Sequence, residues 1–250
     1  MKKYFFIIIA TVICFVAYGY SLTRVEKNAV EYFKAKGSGV YVLNYEKYKS
    51  LDISSKATIN DDDLIYIRDL SNIKGLNISN NKITDAGIKY LKDSKTLIGL
   101  SLESTKLTDF GMQYLAELEN LEELDLTNTK ITDEGLKHLQ GLKQLKSLIL
   151  NDTKINGEGF KYLKNLQLDT LAIADTNIID DNLKYVQNMR LRVFTLPGTK
   201  ITDDAVKYLE KMESLEKLII WDTKISKKGL KILQGKLTNT DVYLIKPHSI

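Results

Sequence analysis

Side chains that commonly carry out chemistry are scarce in this sequence. Its 250 residues include two histidines, His138 and His248, and one cysteine, Cys14. A zinc site or a Ser-His-Asp triad needs more convergent donors than these. Neither a GxxxxGKS/T nor a GxGxxG phosphate-binding stretch occurs. We therefore expect a protein that is not an enzyme and has no catalytic residues, no metal site and no cofactor.

Acidic residues offer two further candidates for chemistry. Asp61, Asp62 and Asp63 resemble a fragment of a cation site, but they fall where other parts of the chain carry Thr-Asp-x-Gly. We interpret them as a solvated helix N-terminus, where carboxylates are favourable. Glu122 and Glu123 are adjacent in a predicted strand, so their side chains point to opposite faces and cannot form an acid–base pair.

The formal charge of +4 has a local origin. Residues 1–45 hold six Lys/Arg and two Asp/Glu, so the remaining 30 basic and 30 acidic residues of the 36 and 32 cancel. A basic footprint for phosphate backbones is therefore missing from most of the chain, and we expect no nucleic-acid partner.

The N-terminus has the layout of an export signal. Lys2 and Lys3 precede residues 4–20, a charge-free run rich in Ile, Phe and Val. Its length is at the short limit for spanning a bilayer. Residues 1–22 are predicted to be a cleaved signal peptide or an uncleaved membrane anchor, and both alternatives stay open. Either predicts export to the cell envelope, the periplasm or the medium, with membrane contact through this segment if it is uncleaved.

An internal repeat dominates the rest of the sequence. The phrase is NKITDAG at 81–87, TKLTDFG at 105–111, TKITDEG at 129–135 and TKINGEG at 153–159, with more diverged copies later. Its central apolar residue recurs every 23 or 24 positions, at Ile59, Ile83, Leu107, Ile131, Ile155, Ile178, Ile201 and Ile225. A constant period of this length is typical of a solenoid.

Each unit can be interpreted physically. In the unit 121–144, Leu124 and Leu126 alternate with polar residues, which predicts a strand with one buried face. The Thr129 hydroxyl can satisfy turn backbone, and Thr132 is a good N-cap for a helix of two to three turns. The sequence predicts an α/β, right-handed solenoid of about eight coils, with a parallel concave sheet and short convex helices.

The pattern LxxLxLxxTxITDxGLxxL resembles the leucine-rich repeats of the helix-bearing, cysteine-containing-like subclass, bacterial type included. The resemblance covers about residues 48–240 and implies protein–protein interaction. Threonine mostly replaces the usual asparagine or cysteine of the turn, and no room exists for an F-box before the repeats, so a ubiquitin-ligase role is not implied.

Caps are predicted at both ends, because a terminal coil exposes its core. Residues 23–47 form the N-terminal cap, with a helix over 24–36 that places Val25, Ala29 and Phe33 on one face, followed by a strand over 40–43. Residues 48–240 form the solenoid, and 241–250 form a C-terminal cap strand and tail.

The concave strand residues form the predicted partner-binding face. We assign it to Trp221, Ile219, Lys217, Val193, Thr195, Ile149, Asp125, Glu123 and Glu103. The first half of this face is small, polar and acidic, whereas the second is largely apolar and ends on the only tryptophan. Pro197 is expected to interrupt the ladder. The alternative for Trp221 and Ile219 is packing beneath the C-terminal cap. Convex residues such as Lys137 and His138 are expected to form an ordinary solvated surface.

The predicted function is a non-enzymatic scaffold, a monomeric solenoid that binds a protein partner on its concave face. An alternative is a structural or adhesive cell-envelope protein that binds glycan or peptidoglycan. That alternative requires several exposed concave aromatics, and the sequence offers only Trp221.

Overall fold

A single sheet runs the length of the molecule. The computed structural model describes residues 22–37, 39–44, 49–55, 59–68, 70 and 73–244, so His248 and nearly all of the predicted signal or anchor lie outside the described residues. Ten strands follow one another in chain order, with β1 antiparallel to β2 and every later pair parallel. The strands are β1 Gly39–Asn44, β2 Lys49–Ser55, β3 Ile73–Asn77, β4 Gly99–Ser101, β5 Glu123–Asp125, β6 Ser147–Ile149, β7 Thr170–Ala172, β8 Val193–Thr195, β9 Lys217–Ile219 and β10 Asp241–Tyr243.

Each strand from β2 to β9 is followed by a helical segment, with a described turn between the two from β3 to β9. Together these make one coil, named here after its strand. The α-helices are α1 Arg24–Ala35, α2 Ile65–Arg68, α3 Asp85–Ile88, α4 Asp109–Leu115, α5 Val206–Leu209 and α6 Lys227–Lys236. The 3₁₀ segments are Asp61–Leu64, Lys89–Leu91, Gly135–Leu139, Glu158–Tyr162, Asp180–Tyr185 and Asp203–Ala205.

The predicted solenoid of eight coils is therefore confirmed, but most of its helices are shorter than two turns. A 3₁₀ helix rises about 2.0 Å per residue against about 1.5 Å for an α-helix. A short 3₁₀ segment thus crosses the coil with fewer residues, which suits a repeat of 23 or 24.

Aliphatic side chains fill the interior in rows that run from coil to coil. Leu124, Leu126 and Ile131 are buried as predicted. The row of Leu126 contains one residue per coil and is fully buried: Ile53, Ile78, Leu102, Leu126, Leu150, Ile173, Leu196 and Ile220. Each contact lies between neighbouring coils, so the core exists only when coils stack.

The turn after each strand from β3 to β9 depends on two adjacent positions. The first has φ between 52° and 59° in Asn80, Ser104, Asn128, Asp152, Asp175 and Asp222, and is Gly198 in the β8 coil. Asn, Asp and Gly tolerate this left-handed conformation best. The second position is usually threonine, whose hydroxyl donates to the carbonyl three residues earlier, as Thr129 does to Leu126 at 2.7 Å. The predicted role of Thr129 is confirmed.

The aspartate of the repeat phrase, where present, links its coil to the next. Asp109 Oδ1 accepts from the backbone N–H of Thr132 at 2.7 Å, and its Oδ2 accepts from the Thr132 hydroxyl at 2.6 Å. The same pair of bonds recurs from Asp61 to Thr84, Asp85 to Thr108, Asp180 to Thr202 and Asp203 to Ser226. These carboxylates satisfy a backbone N–H at the start of the next coil's helical segment. Each also lies at the N-terminus of the helical segment in its own coil, where a negative charge is favourable.

This link also explains the glycine of the phrase. A Cβ on Gly135 would lie 2.5 Å from Asp109 Oδ1, and one on Gly111 would lie 2.4 Å from Asp85 Oδ1. The carboxylate of one coil thus occupies the space that a side chain of the next coil would need. The motif Thr-Asp-x-Gly is one structural unit shared between two coils.

The β6 and β7 coils replace residues of the motif, and the start of the β7 helical segment still has a side-chain acceptor. Gly157 replaces the aspartate of the β6 coil, and the β7 coil has Asn182 where the glycine would be. Asn182 Oδ1 then accepts from the backbone N–H of Ile179 at 2.9 Å. The first coil has no described aspartate before it, and there Asp63 Oδ2 accepts from the N–H of Asn60 at 2.8 Å.

The helix α1 covers the first coil. Thr23 and Glu26 form a capping box at its start, and it buries Ala29, Val30 and Phe33. Val25 is 49% exposed, which contradicts the predicted face. Positions 26, 29, 30 and 33 share one helical stripe, and position 25, two steps of four before 33, lies outside it.

Asp63 anchors α1 to the solenoid. It is buried, forms an ion pair with Lys36 and accepts from the Tyr32 hydroxyl at 2.6 Å. Burial opposes its ionisation, but the hydrogen bonds from Lys36 and Tyr32 outweigh this effect and lower the pKa of Asp63. The interpretation of residues 61–63 as a solvated N-terminus is therefore wrong for Asp63, because α1 covers it.

Pro197 does not interrupt the ladder, contrary to prediction. The neighbouring N–H groups of Leu196 and Gly198 donate to the carbonyls of Ile219 and Trp221 at 2.9 and 3.3 Å. The Pro197 carbonyl accepts from Asp175 at 2.9 Å. At the equivalent place in the β5 coil, the Thr127 N–H donates to the Asp125 side chain instead of a neighbouring strand. Proline is tolerated because the ladder does not use an N–H at this position.

Candidate functional site

The concave face of the sheet consists of three rows of side chains. Strand register gives a first row of Gly75, Gly99, Glu123, Ser147, Thr170, Val193, Lys217 and Asp241. The middle row is Asp52, Asn77, Ser101, Asp125, Ile149, Ala172, Thr195, Ile219 and Tyr243. A third row follows two residues later and includes Glu103, Pro197 and Trp221.

All nine residues assigned to the binding face are half-buried. Glu103, Glu123 and Asp125 come together on the β4 and β5 coils, and Val193, Thr195, Lys217, Ile219 and Trp221 come together on the β8 and β9 coils. Ile149 lies between the two groups, directly beside Asp125. The register thus divides the face into an acidic part and a largely apolar part.

The acidic part holds carboxyls in an unfavourable setting. Burial raises the pKa of Glu103, and the negative charge of Asp125 raises it further. Burial and then the charge of Glu122 raise the pKa of Glu123. Within the described part of the chain, no basic side chain forms an ion pair with these carboxyls. A cationic group placed here would relieve both effects.

The apolar part is less continuous than the sequence indicates. Ala172 is 8% exposed, so it offers little surface, and Thr195 separates it from Ile219 in the middle row. The apolar residues with accessible surface are Ile149, Val193, Ile219 and Trp221.

The C-terminal strand extends this face sideways. β10 pairs with β9 in the plane of the sheet and places Tyr243 opposite Ile219. The Lys217 ammonium lies 5.7 Å from the centroid of the Tyr243 ring. The described part of the cap therefore lies beside Ile219, and Ile219 and Trp221 stay partly accessible.

Two tyrosines on this face were missed from the sequence. Tyr41 pairs with Asp52 across β1 and β2 and is 56% exposed, and Tyr243 lies at the opposite edge. Paired residues project to the same side of a sheet. The alternation in the two cap strands was a usable signal, but we assigned those strands to capping alone.

On the convex side Lys137 is exposed as expected, whereas His138 differs from the expectation. His138 is half-buried, and burial followed by the nearby Lys137 charge lowers its pKa against a smaller effect of Asp109. It belongs to a row of equivalent helix positions with one aromatic residue in each coil from β2 to β8: Tyr66, Tyr90, Tyr114, His138, Tyr162, Tyr185 and Tyr208. Phe110, beside this row, is 65% exposed.

Among the described residues, no three histidine, cysteine, aspartate or glutamate side chains converge to hold a metal ion. In the same part of the chain, no helix is both long and apolar enough to cross a membrane.

Comparisons with known proteins agree with this architecture. Family models described as leucine-rich repeat match residues 95–155 and residues 70–92. Curated proteins gave no match. An internalin C2 from Listeria monocytogenes is similar in structure, with a TM-score of 0.62 and 26% identity over 79% of each chain.

Two other solved structures share the fold at lower identity. A second internalin of that organism has a TM-score of 0.59 and 21% identity, covering 74% of this chain and 51% of the internalin. A plant ice-binding protein has a TM-score of 0.59 and 17% identity, covering 88% of this chain and 75% of that protein. The chain thus carries leucine-rich repeats and folds as a leucine-rich-repeat solenoid. This fold suggests a protein–protein interaction scaffold.

Proposed function

We propose that this protein is a non-enzymatic, exported or membrane-tethered scaffold that binds a protein partner along its concave face. The motif Thr-Asp-x-Gly supports assignment to the helix-bearing subclass of repeats, and the likeness to a Listeria internalin supports a bacterial type. Export rests on the charge-free run at residues 4–20, which lies outside the described residues.

The observation that carries the proposal is the partly accessible group formed by Ile219, Trp221 and Tyr243. Large apolar and aromatic side chains of this kind are enriched at binding hot spots. β10 adds to this group from the side, and this arrangement argues against the alternative in which Ile219 and Trp221 only pack beneath the cap. In this proposal the apolar contacts with the partner lie on the β6 to β9 coils.

Charge further defines the partner. Glu103 and Glu123 form no ion pair with a described residue, and burial and nearby carboxylates raise the pKa of each, so their ionisation is unfavourable in the free protein. Basic side chains of a partner would stabilise the ionised forms. We infer a partner with an apolar surface over the β8 and β9 coils and lysine or arginine over the β4 and β5 coils.

Two other uses of the face have less support. A concave glycan site would need several adjacent aromatics, whereas Tyr41 lies at one end of the sheet and Trp221 and Tyr243 lie at the other. The second use is ice binding, the property in the name of the plant protein compared above, for which a regular array of exposed threonines would be expected. The described turns lack such an array, because Thr105, Thr129 and Thr153 are buried and donate to backbone carbonyls.

The test uses photocrosslinking followed by affinity measurement. A benzophenone amino acid replaces Ile219 in the tagged full-length chain, and a matched chain carries it at exposed Lys137 on the convex side. We expect one partner to crosslink at 219 and not at 137. With that partner, Trp221→Ala and Ile219→Asp should each weaken binding by more than about 1 kcal/mol, roughly fivefold or more. Lys137→Ala is the affinity control.

Circular dichroism of each variant separates binding from folding. Unchanged affinity in both concave variants would place the interface elsewhere. Unfolding of Trp221→Ala would instead favour cap packing for this residue.

A further inference from the structure

A cleft of about 690 Å³ opens on the convex side between the β3 and β4 coils. Its lining includes Arg68, Lys89, Tyr90, Lys92, Phe110 and Tyr114. A volume of this size accommodates a small organic ligand or a short stretch of a polymer. The concave face described above does not contribute to the lining.

The cleft lies where the repeat changes its chemistry. The third position of Thr-Asp-x-Gly, followed along the chain, is Asp62, Ala86, Phe110, Glu134, Glu158, Asp181, Asp204 and Lys228. Five of these eight residues are acidic, but the two coils that form the cleft have alanine and phenylalanine. This position is exposed, so packing alone does not explain the replacement.

Acidic residues at this position interact with neighbouring side chains in other coils. Glu134 forms an ion pair with Lys137 at 3.4 Å, and Asp181 forms one with Lys207 at 3.8 Å. Lys89 is the counterpart of Lys137 in the β3 coil, and Ala86, at the position of Glu134, provides no carboxylate within that coil. The change from acidic residues therefore leaves the cleft with more positive charge than the same surface elsewhere.

The other charged residues of the cleft also favour a ligand with negative groups. Asp85 is occupied by the backbone N–H and hydroxyl of Thr108, at 2.8 and 2.6 Å. Lys89 and Lys92 form no ion pair with a described residue. Asp93 is the only other acidic residue in the lining. A ligand with negative groups is thus favoured.

Phe110 provides the apolar part of the cleft. Its side chain is 65% exposed, and the Tyr114 ring meets it edge-on with centroids 6.2 Å apart. The ring therefore remains accessible for stacking. Flat rings of this kind receive the C–H faces of sugars, while tyrosine hydroxyls and ammonium groups bind sugar oxygens and carboxylates.

We propose that this convex cleft binds a carbohydrate chain bearing carboxylate groups, with a sugar ring on Phe110 and a carboxylate near Lys89 and Lys92. The cleft is partly open and has side chains of two neighbouring coils on its walls, which suits a narrow polymer better than a flat bilayer surface. The helical backbone around the cleft leaves no unpaired strand edge to hold an extended peptide. This site is separate from the proposed concave interface and does not depend on it.

Calorimetry of the purified full-length chain, kept in non-ionic detergent, tests the proposal. The probes are a hexamer of galacturonic acid and maltohexaose, a neutral sugar of the same length. We expect binding of the acidic hexamer, at least tenfold weaker binding of the neutral one, and loss of affinity on adding salt. Amide shifts in nuclear magnetic resonance spectra should cluster at residues 85–93 and 109–114.

Phe110→Glu is the decisive variant, because it restores the acidic residue that other coils carry at this position. It should weaken binding of the acidic hexamer by at least tenfold, and Lys89→Gln should weaken it several-fold. Lys161→Gln changes the equivalent lysine in the β6 coil and should leave affinity unchanged. Phe110→Leu keeps an apolar residue without the aromatic ring and should also weaken binding.

Several outcomes would overturn the proposal. These are no binding of the acidic hexamer, equal binding of maltohexaose, unchanged affinity in Phe110→Glu, and tighter binding of a glutamate-rich peptide or of anionic vesicles. Trp221→Ala should not affect the hexamer, so failure here leaves the concave proposal standing, and failure of the concave proposal leaves this one standing.

Discussion

At the scale of single residues, the aspartate of the repeat phrase acts mainly on the following coil. Asp109 accepts two hydrogen bonds from Thr132, and its carboxylate fills the space above Gly135. The β6 and β7 coils show a second solution, in which Gly157 leaves room for Asn182. The chain therefore contains two alternative residue pairs at equivalent positions, Asp109 with Gly135 and Gly157 with Asn182. The second pair can be introduced in place of the first.

We predict that Gly135→Asn alone destabilises the protein by about 2 kcal/mol, because the new side chain clashes with Asp109 in a packed interface. Asp109→Gly combined with Gly135→Asn should cost less than the sum of the two single changes. In the double variant the introduced asparagine can accept from the Thr132 N–H, as Asn182 does from the Ile179 N–H. Urea denaturation of the four proteins in a double-mutant cycle measures this coupling. Strict additivity would mean that the two positions do not share space.

The repeat itself could be predicted from the sequence, but the reason for its polar residues could not. Regular spacing of apolar residues predicts burial directly, since burial depends on residue type and period. The role of Asp109 depends instead on a residue 23 positions later, which becomes a neighbour only after the coils stack. Pro197 was misjudged for a related reason: the prediction assumed that every strand N–H joins the ladder.

At the scale of elements, each short strand presents its first and third residues to the concave face and its central residue to the core. β5 places Glu123 and Asp125 outward and Leu124 inward. The sequence predicted this division, and hence the members of the candidate face. It did not predict that the β1 and β10 cap strands add Tyr41 and Tyr243 to the same face, because cap strands have no repeat to fix their register.

The raised pKa of Glu123 predicts a pH-dependent effect. Burial, and then Glu122, disfavour its ionised form, so the folded protein holds this proton more tightly than the unfolded chain does. This contribution to stability is fully present below the ordinary pKa of glutamate and is lost as pH rises through the folded value. Glu123→Gln should therefore increase the free energy of unfolding near pH 7 by up to about 1 kcal/mol, and so raise the melting temperature. Near pH 4 it should have little effect.

Thermal unfolding followed at both pH values tests this expectation. Glu119→Gln, a change at an exposed glutamate outside the concave strands, serves as the control. A variant that is less stable near pH 7 would show that Glu123 has a favourable partner on the concave face.

At the scale of the whole molecule, stability comes from contacts between successive coils. No coil buries its own row of aliphatic residues, and the β-ladder, the inward row of Leu126 and the aspartate links all join neighbours. The same arrangement leaves the concave and convex surfaces free to vary without disturbing the core. This explains how two chemically different surfaces, one acidic and apolar, the other with a row of aromatic residues, can occur on one regular solenoid.

Leu126→Asp tests this dependence between coils. Leu126 is fully buried, and its backbone N–H donates to Ile149 in the next coil at 2.9 Å. A carboxylate there would lose the leucine contacts and lie without a partner, which should cost on the order of 4 kcal/mol or more. In a solenoid this loss spreads along the stack, since each coil is stabilised by its neighbours. We expect hydrogen exchange to accelerate first in the β4, β5 and β6 coils and least in α1 and α6.

Asn128→Asp, at an exposed turn position two residues away, should leave exchange unchanged. Full retention of protection in Leu126→Asp would contradict the inward placement of this row, whereas uniform acceleration over all coils would mean that the solenoid unfolds as one unit.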